Sequence, residues 1–178
     1  MTRPCLCLTA AVADLPTRPE IPASLEIPAR LEIAGTAFTR IESPDDIACW
    51  SADADPADPG GHRPVSVLTE PAAAPDQETL ELAAAVLGRF DELADLAGAY
   101  LRERLREPEL GLSADELATL DAAEPPAAEP EAVVWADGTW LLRFAESRLR
   151  LADPYGIGVL FEGTVPYGIE DLSQADLA

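Results

Sequence analysis

Histidine occurs once in the 178 residues, at His62, and cysteine three times, at Cys5, Cys7 and Cys49. Any Ser-His-Asp or Cys-His mechanism must therefore run through His62, which stands in the loop-like stretch Gly60-Gly61-His62-Arg63-Pro64. Cys5, Cys7, Cys49 and His62 make a permissible ligand count for zinc. The C-x-C spacing is tighter than a zinc knuckle and the third cysteine is remote, so the expectation is no metal and no cofactor. Asp53-Ala54-Asp55-Pro56-Ala57-Asp58 resembles a calcium loop only in composition, because its two prolines and missing terminal Glu break the ligand pattern. An odd cysteine count with a C-x-C pair is not a disulfide framework. No phosphate-cradling glycine loop, HExxH or GxSxG is present.

Carboxylates are the abundant reactive groups. The chain carries 33 Asp and Glu against 12 basic residues, all Arg, for a formal charge of −21. A field of that sign repels phosphate and anionic lipid, so nucleic acid and membrane are not expected partners. From Glu107 to Glu131 the acids Glu107, Glu109, Asp115, Glu116, Asp121, Glu124, Glu129 and Glu131 follow one another with no Arg between them. This segment is the candidate partner-binding surface, with Glu170, Asp171 and Asp176 as an extension, and a basic protein is the expected partner. The bland alternative is that acid excess only maintains solubility. A second candidate is a helix–sheet pocket near Arg148, Arg150, Asp153 and Tyr155, where paired carboxylates could do acid–base work if their environments separate their pKa values.

The elements that must position these groups begin with a near-repeat of six residues, Glu20-Ile21-Pro22, Glu26-Ile27-Pro28 and Glu32-Ile33-Ala34, which puts Ile21, Leu25, Ile27, Leu31 and Ile33 on one face of an extended chain. Its prolines confine it to a sheet edge or to pairing after Pro28. Residues 36–41, 47–52 and 65–69 read as further strands. Asp76 caps one long amphipathic helix over 77–106, ending by Pro108 and carrying Arg102, Arg104 and Arg106 at its C-terminal end. Those arginines read as local ion pairs rather than an anion site. Ser113-Ala114-Asp115-Glu116 is a capping box opening a short helix over 114–122. Residues 123–130 read as a stiff proline-rich connector.

Asp137-Gly138 predicts a two-residue type I′ hairpin, which would set Trp135 opposite Trp140, Val133 opposite Leu142 and Glu131 opposite Phe144. Both indoles are then expected in the core. A further strand is predicted over 157–162. Pro-Tyr-Gly-Ile occurs at 154–157 and again at 166–169, and both copies read as turns at strand ends.

The long helix, the capped short helix, Glu131-Ala132-Val133-Val134-Trp135, Trp140-Leu141-Leu142-Arg143-Phe144 and Asp153-Pro154-Tyr155-Gly156-Ile157-Gly158-Val159 together resemble small bacterial domains of unknown function, some of them grouped with immunity proteins of polymorphic toxin systems. The resemblance covers about residues 65–176. It implies a small α+β protein without a known catalytic set, and no site residue is carried over from it.

The expected fold is one α+β domain over residues 20–178, an antiparallel, twisted sheet from N- and C-terminal strands packed against the long helix, with residues 1–19 as an N-terminal extension. Two small layers joined at 70–76 are the alternative. The apolar run Cys5 to Ala13 is short for a signal h-region, so the expected location is the cytoplasm, with export by a short N-terminal signal as the alternative. The expected function is non-enzymatic: an acidic, immunity-like protein-binding module. A small-ligand domain or carboxylate enzyme, and a scaffold subunit of a larger assembly, are the competing classes.

Overall fold

The computed structural model describes residues 27–53, 63–122 and 126–172. Among them the strands are β1 (Arg30–Ile33), β2 (Thr36–Ile41), β3 (Ala48–Ala52), β4 (Val65–Thr69), β5 (Ala127–Trp135), β6 (Thr139–Ser147), β7 (Ile157–Glu162) and β8 (Val165–Asp171). They form one sheet in sequence order. The helices are α1 (Gln77–Gly88), α2 (Phe90–Arg104) and α3 (Ala114–Leu120). All three, with a 3-10 turn at Pro108–Leu110, lie in the connection between β4 and β5. That connection carries the chain back across the sheet, so β4 and β5 are parallel and every other neighbouring pair is antiparallel. The α+β class holds, and the wholly antiparallel sheet is corrected to a mixed one. The first copy of the N-terminal near-repeat and Glu26 of the second lie outside the described residues, as do Cys5, Cys7 and His62.

Alternation along the strands decides what is buried. Phe38, Trp50, Val65, Val67, Val134, Trp140, Leu142, Val159 and Phe161 share one face and are fully buried. Against them pack Ala83, Val86, Phe90, Leu93, Ala97, Leu101, Leu105 and Leu120 from the helical segment. Buried indoles need a partner for their N–H. Trp50 Nε1 donates to Pro28 O at 2.8 Å and Trp140 Nε1 donates to Gly163 O at 2.7 Å. The Trp140 ring stacks on Phe161, centroids 4.1 Å apart.

The continuous helix expected over 77–106 is two helices. Arg89, at φ −122° and ψ 20°, breaks the ladder, and its N–H turns to Val86 O. The apolar stripe keeps its three-and-four spacing through the break, so periodicity gives no sign of it. Gly88, a poor helix former, is the local weak point. At the start, Asp76 accepts from Thr79 N at 2.8 Å and from Thr79 Oγ1 at 2.7 Å.

The hairpin register also differs by one residue. Val134 is opposite Trp140, Val133 opposite Leu141, Ala132 opposite Leu142 and Glu131 opposite Arg143. A type I′ turn needs positive φ at both central residues, and here Gly138 has it (φ 85°) while Asp137 does not. The result is a three-residue loop with glycine in the left-handed position, closed by Gly138 N donating to Trp135 O. Asp137 Oδ1 accepts from Thr139 N and Oγ1, which fixes that loop. A one-residue slip reverses a strand face, so Trp140 is core whereas Trp135 lies half-buried on the other face.

Two further expectations are corrected. Residues 127–130 of the supposed connector belong to β5, where Pro130 has β6 on one side only, β4 joining the ladder at Ala132. The two Pro-Tyr-Gly-Ile copies have different structures. In the first, Gly156 is left-handed (φ 90°), whereas the second lies inside β8 with Gly168 opposite Leu160.

Candidate functional site

Folding breaks up the acidic run. Glu107 pairs with Arg104, three residues away, as expected of a local ion pair, whereas Asp121 pairs with Arg106 across a separation of 15 residues. Glu131 is on the sheet, its Oε2 3.5 Å from Arg143 Nη1 on the neighbouring strand. The Nε of that arginine is buried without a hydrogen-bond partner. Glu129 is exposed in β5 with φ 53°. Glu109 and Asp115 are exposed in the helical segment. Glu124 and Asp176 lie outside the described residues, and Glu170 and Asp171 are exposed on β8. The expected single surface is therefore divided, because β5 returns Glu129 and Glu131 to the sheet while Glu107 to Asp121 remain in the helical segment.

Glu116 is the carboxylate with most structural work. Its Oε2 accepts from Ser113 N at 2.9 Å and from Ser113 Oγ at 2.7 Å, completing the capping box of α3. Its Oε1 accepts from Arg150 N at 3.0 Å. One side chain thus caps a helix and ties it to the turn after β6. The Ser113 hydroxyl and N–H, then the Arg150 N–H, hold this carboxyl down at about 2 from an ordinary 4.5.

The sign of the linkage follows from that depression. Stability contributed by Glu116 is fully present above its unfolded value of 4.5 and is lost as pH falls towards about 2. Glu116→Ala is expected to melt below wild type at neutral pH, with the gap closing between those two values. Thermal melts of both proteins across that range check it, and a gap that persists at the acid end would contradict the assignment.

This tether walls a cleft of about 890 Å³, the larger of two described cavities, lined by the end of β6, the start of β5, the α3 N-terminus and the following turn. Arg148, Arg150 and Asp153 line it together with Glu116 and Glu146; Tyr155 does not. The turn is built locally. Ser147 Oγ donates to Pro126 O and accepts from Leu149 N, Arg148 N donates to Pro126 O, and Gly156 N donates to Ala152 O at 2.7 Å. Leu149 and Ala152 anchor it in the core. A smaller hollow of about 230 Å³ shares Glu116 and Arg150 as its wall.

The cleft offers charge and hydrogen bonds above an alanine- and proline-rich wall. Its closest approach to a nucleophile–base pair is Ser113 Oγ donating to Glu116, but a carboxylate held at about 2 is a poor base for that proton at neutral pH. Elsewhere, burial pushes the Cys49 thiol up, away from the reactive thiolate. Among the described residues no group of three His, Cys, Asp or Glu is placed to hold a metal. Also among them, no helix is long and apolar enough to cross a membrane. The capping box was readable from the sequence; the tether to Arg150, 34 residues on, carries no local signal.

Compared with protein-family models, with curated proteins and with solved structures, the chain matches none of them.

Proposed function

We propose that this chain is a non-enzymatic, immunity-like binding module that meets a basic protein through the outer side of its helical segment. Six carboxylates there, Glu78, Glu81, Asp95, Glu103, Glu109 and Asp115, are exposed and lack an ion pair among the described residues. The observation that carries the reading is what lies among them. Leu96, Leu110 and Leu117 are 40%, 37% and 38% exposed in the same segment. Exposed leucines within a charged rim are the apolar anchors that an interface needs. The acids would steer encounter and the leucines would hold the complex.

The cleft favours a second reading, a site for a small ligand bearing an acidic group, with Arg148 and Arg150 supplying the counter-charge. One experiment separates the two. The tagged chain is used to capture partners at about 50 mM and about 500 mM salt, beside Asp95→Arg/Asp115→Arg and Arg150→Ser variants. The first reading expects a basic protein recovered at low salt, at least tenfold depleted at high salt and by the charge reversals, and unaffected by Arg150→Ser. A partner retained undiminished in high salt removes electrostatic capture. Dependence on Arg150 alone favours the cleft.

A further inference from the structure

The helices cover one face of the sheet, and the registers define the other. Cys49 is opposite Leu68 and Leu68 opposite Trp135. Val133 is opposite Leu141, and Leu141 opposite Leu160. Two adjoining apolar rows thus run across β3 to β7 on the side away from the helices, where a solvated sheet face would alternate to polar residues. Cys49 and Leu141 are the two buried apolar side chains, among the described residues, that stand outside the core cluster. Leu141 is packed down on Gly158, where a Cβ would meet its Cδ1 at 2.3 Å. At the margin, Ile41 is 47% exposed.

We propose that this face is the interface of a homodimer, its occupant being the same face of a second copy of the chain. Three observations select that occupant. The first is charge: the face carries Glu32, Glu129, Glu131, Glu162 and Glu170 against Arg30 and Arg143, a net −3 of the chain's −21. Two chains this acidic can approach each other most cheaply where the acid is least. The second is geometry, since face-to-face stacking leaves both acidic helical layers on the outside, separated by two sheets about 10 Å apart. The third is area. Eight strands about 4.8 Å apart, each rising about 3.3 Å per residue over some five residues, present roughly 600 Å² per copy. Two such faces bury roughly 1,200 Å², which reaches the range of specific interfaces.

Tryptophan reports on this face selectively. Of the chain's three, Trp50 and Trp140 are fully buried, which leaves Trp135 as the indole that a neutral quencher reaches. Sedimentation velocity of the full chain from about 2 to about 200 µM is expected to show a mass rising from 18.9 kDa to twice that, with a dissociation constant on the order of 1–10 µM. Acrylamide quenching should fall about twofold over the same range. Leu160→Arg and Trp135→Arg should each weaken the dimer at least tenfold while circular dichroism shows a folded chain. Trp135 lies beside the hairpin and half in solvent, so its variant serves if Leu160→Arg does not fold. A chain that stays at 18.9 kDa at the highest concentration overturns the proposal, and shielding of Trp135 in such a monomer gives the face to another part of the same chain. A dimer indifferent to both substitutions overturns it as well.

Discussion

Replacing Gly156 by alanine is expected to lower the unfolding free energy by about 3–5 kcal/mol, combining the strain of a left-handed non-glycine residue with a steric overlap. Gly156 has φ 90°, and a Cβ there would sit 2.2 Å from Phe144 O. That neighbour is backbone in the middle of a paired strand, so no side-chain rotation relieves the overlap. The turn cannot move away either, because Gly156 N is bonded to Ala152 O at 2.7 Å and Ile157, next in sequence, is fully buried. Gly138→Ala, also at positive φ but with nothing within 4 Å, is the control and should cost about 1 kcal/mol. Chemical denaturation of the two variants separates strain from overlap. Equal losses would show that the turn after β6 yields more readily than its bonding implies.

Trp140→Ala is expected to cost about 3–5 kcal/mol, which for a chain of this length is a fall in melting temperature on the order of 10 °C. The side chain is fully buried, and its truncation removes both the buried area and the stack on Phe161. Trp140→Phe keeps a stacking ring and gives up the N–H bond to Gly163 O, an exposed residue whose carbonyl water can reach. Its cost should therefore be smaller, about 1–2 kcal/mol. The matching change at half-buried Trp135, to alanine, should cost about 1 kcal/mol in the monomer. Thermal melts of the three proteins test the face assignment, since a Trp135→Ala loss as large as that of Trp140→Ala would mean the hairpin has the other register.

What was legible in the sequence is what is decided within a few residues. Asp76 and Ser113 with Glu116 cap helices because the donors they satisfy lie three positions away. The strand positions of β2, β3, β4 and β7 follow from short runs of strand-forming residues bounded by turn signals. Register was not legible, because Asp137-Gly138 suits two turn types that differ only in the sign of one φ, and the choice reverses Trp135. The break at Arg89 was hidden because the buried stripe continues through it. A tetrapeptide, Pro-Tyr-Gly-Ile, adopts two conformations because the second copy lies wholly inside β8, whereas the first joins a strand only at Ile157. The same limit applied to the candidate sites. Arg148, Arg150 and Asp153 are close in sequence and share a cleft, and Glu107 lies three positions from Arg104, whereas pairing Asp121 and Glu131 with arginines required knowing which strands and helices meet.

The one parallel join has a consequence for how the chain comes together. On each side of it, β1 to β4 and β5 to β8 are four-stranded meanders whose every pairing is between strands adjacent in sequence. Such contacts close short loops and form early. The β4–β5 seam, by contrast, pairs Val65 with Ala132 from opposite ends of the whole helical segment. It can form only when that segment is compact enough to bring its two ends side by side. The helices thus cover the sheet and also span the longest loop that any of its pairings has to close, so the β4–β5 seam carries the greatest loop-closure cost in the sheet.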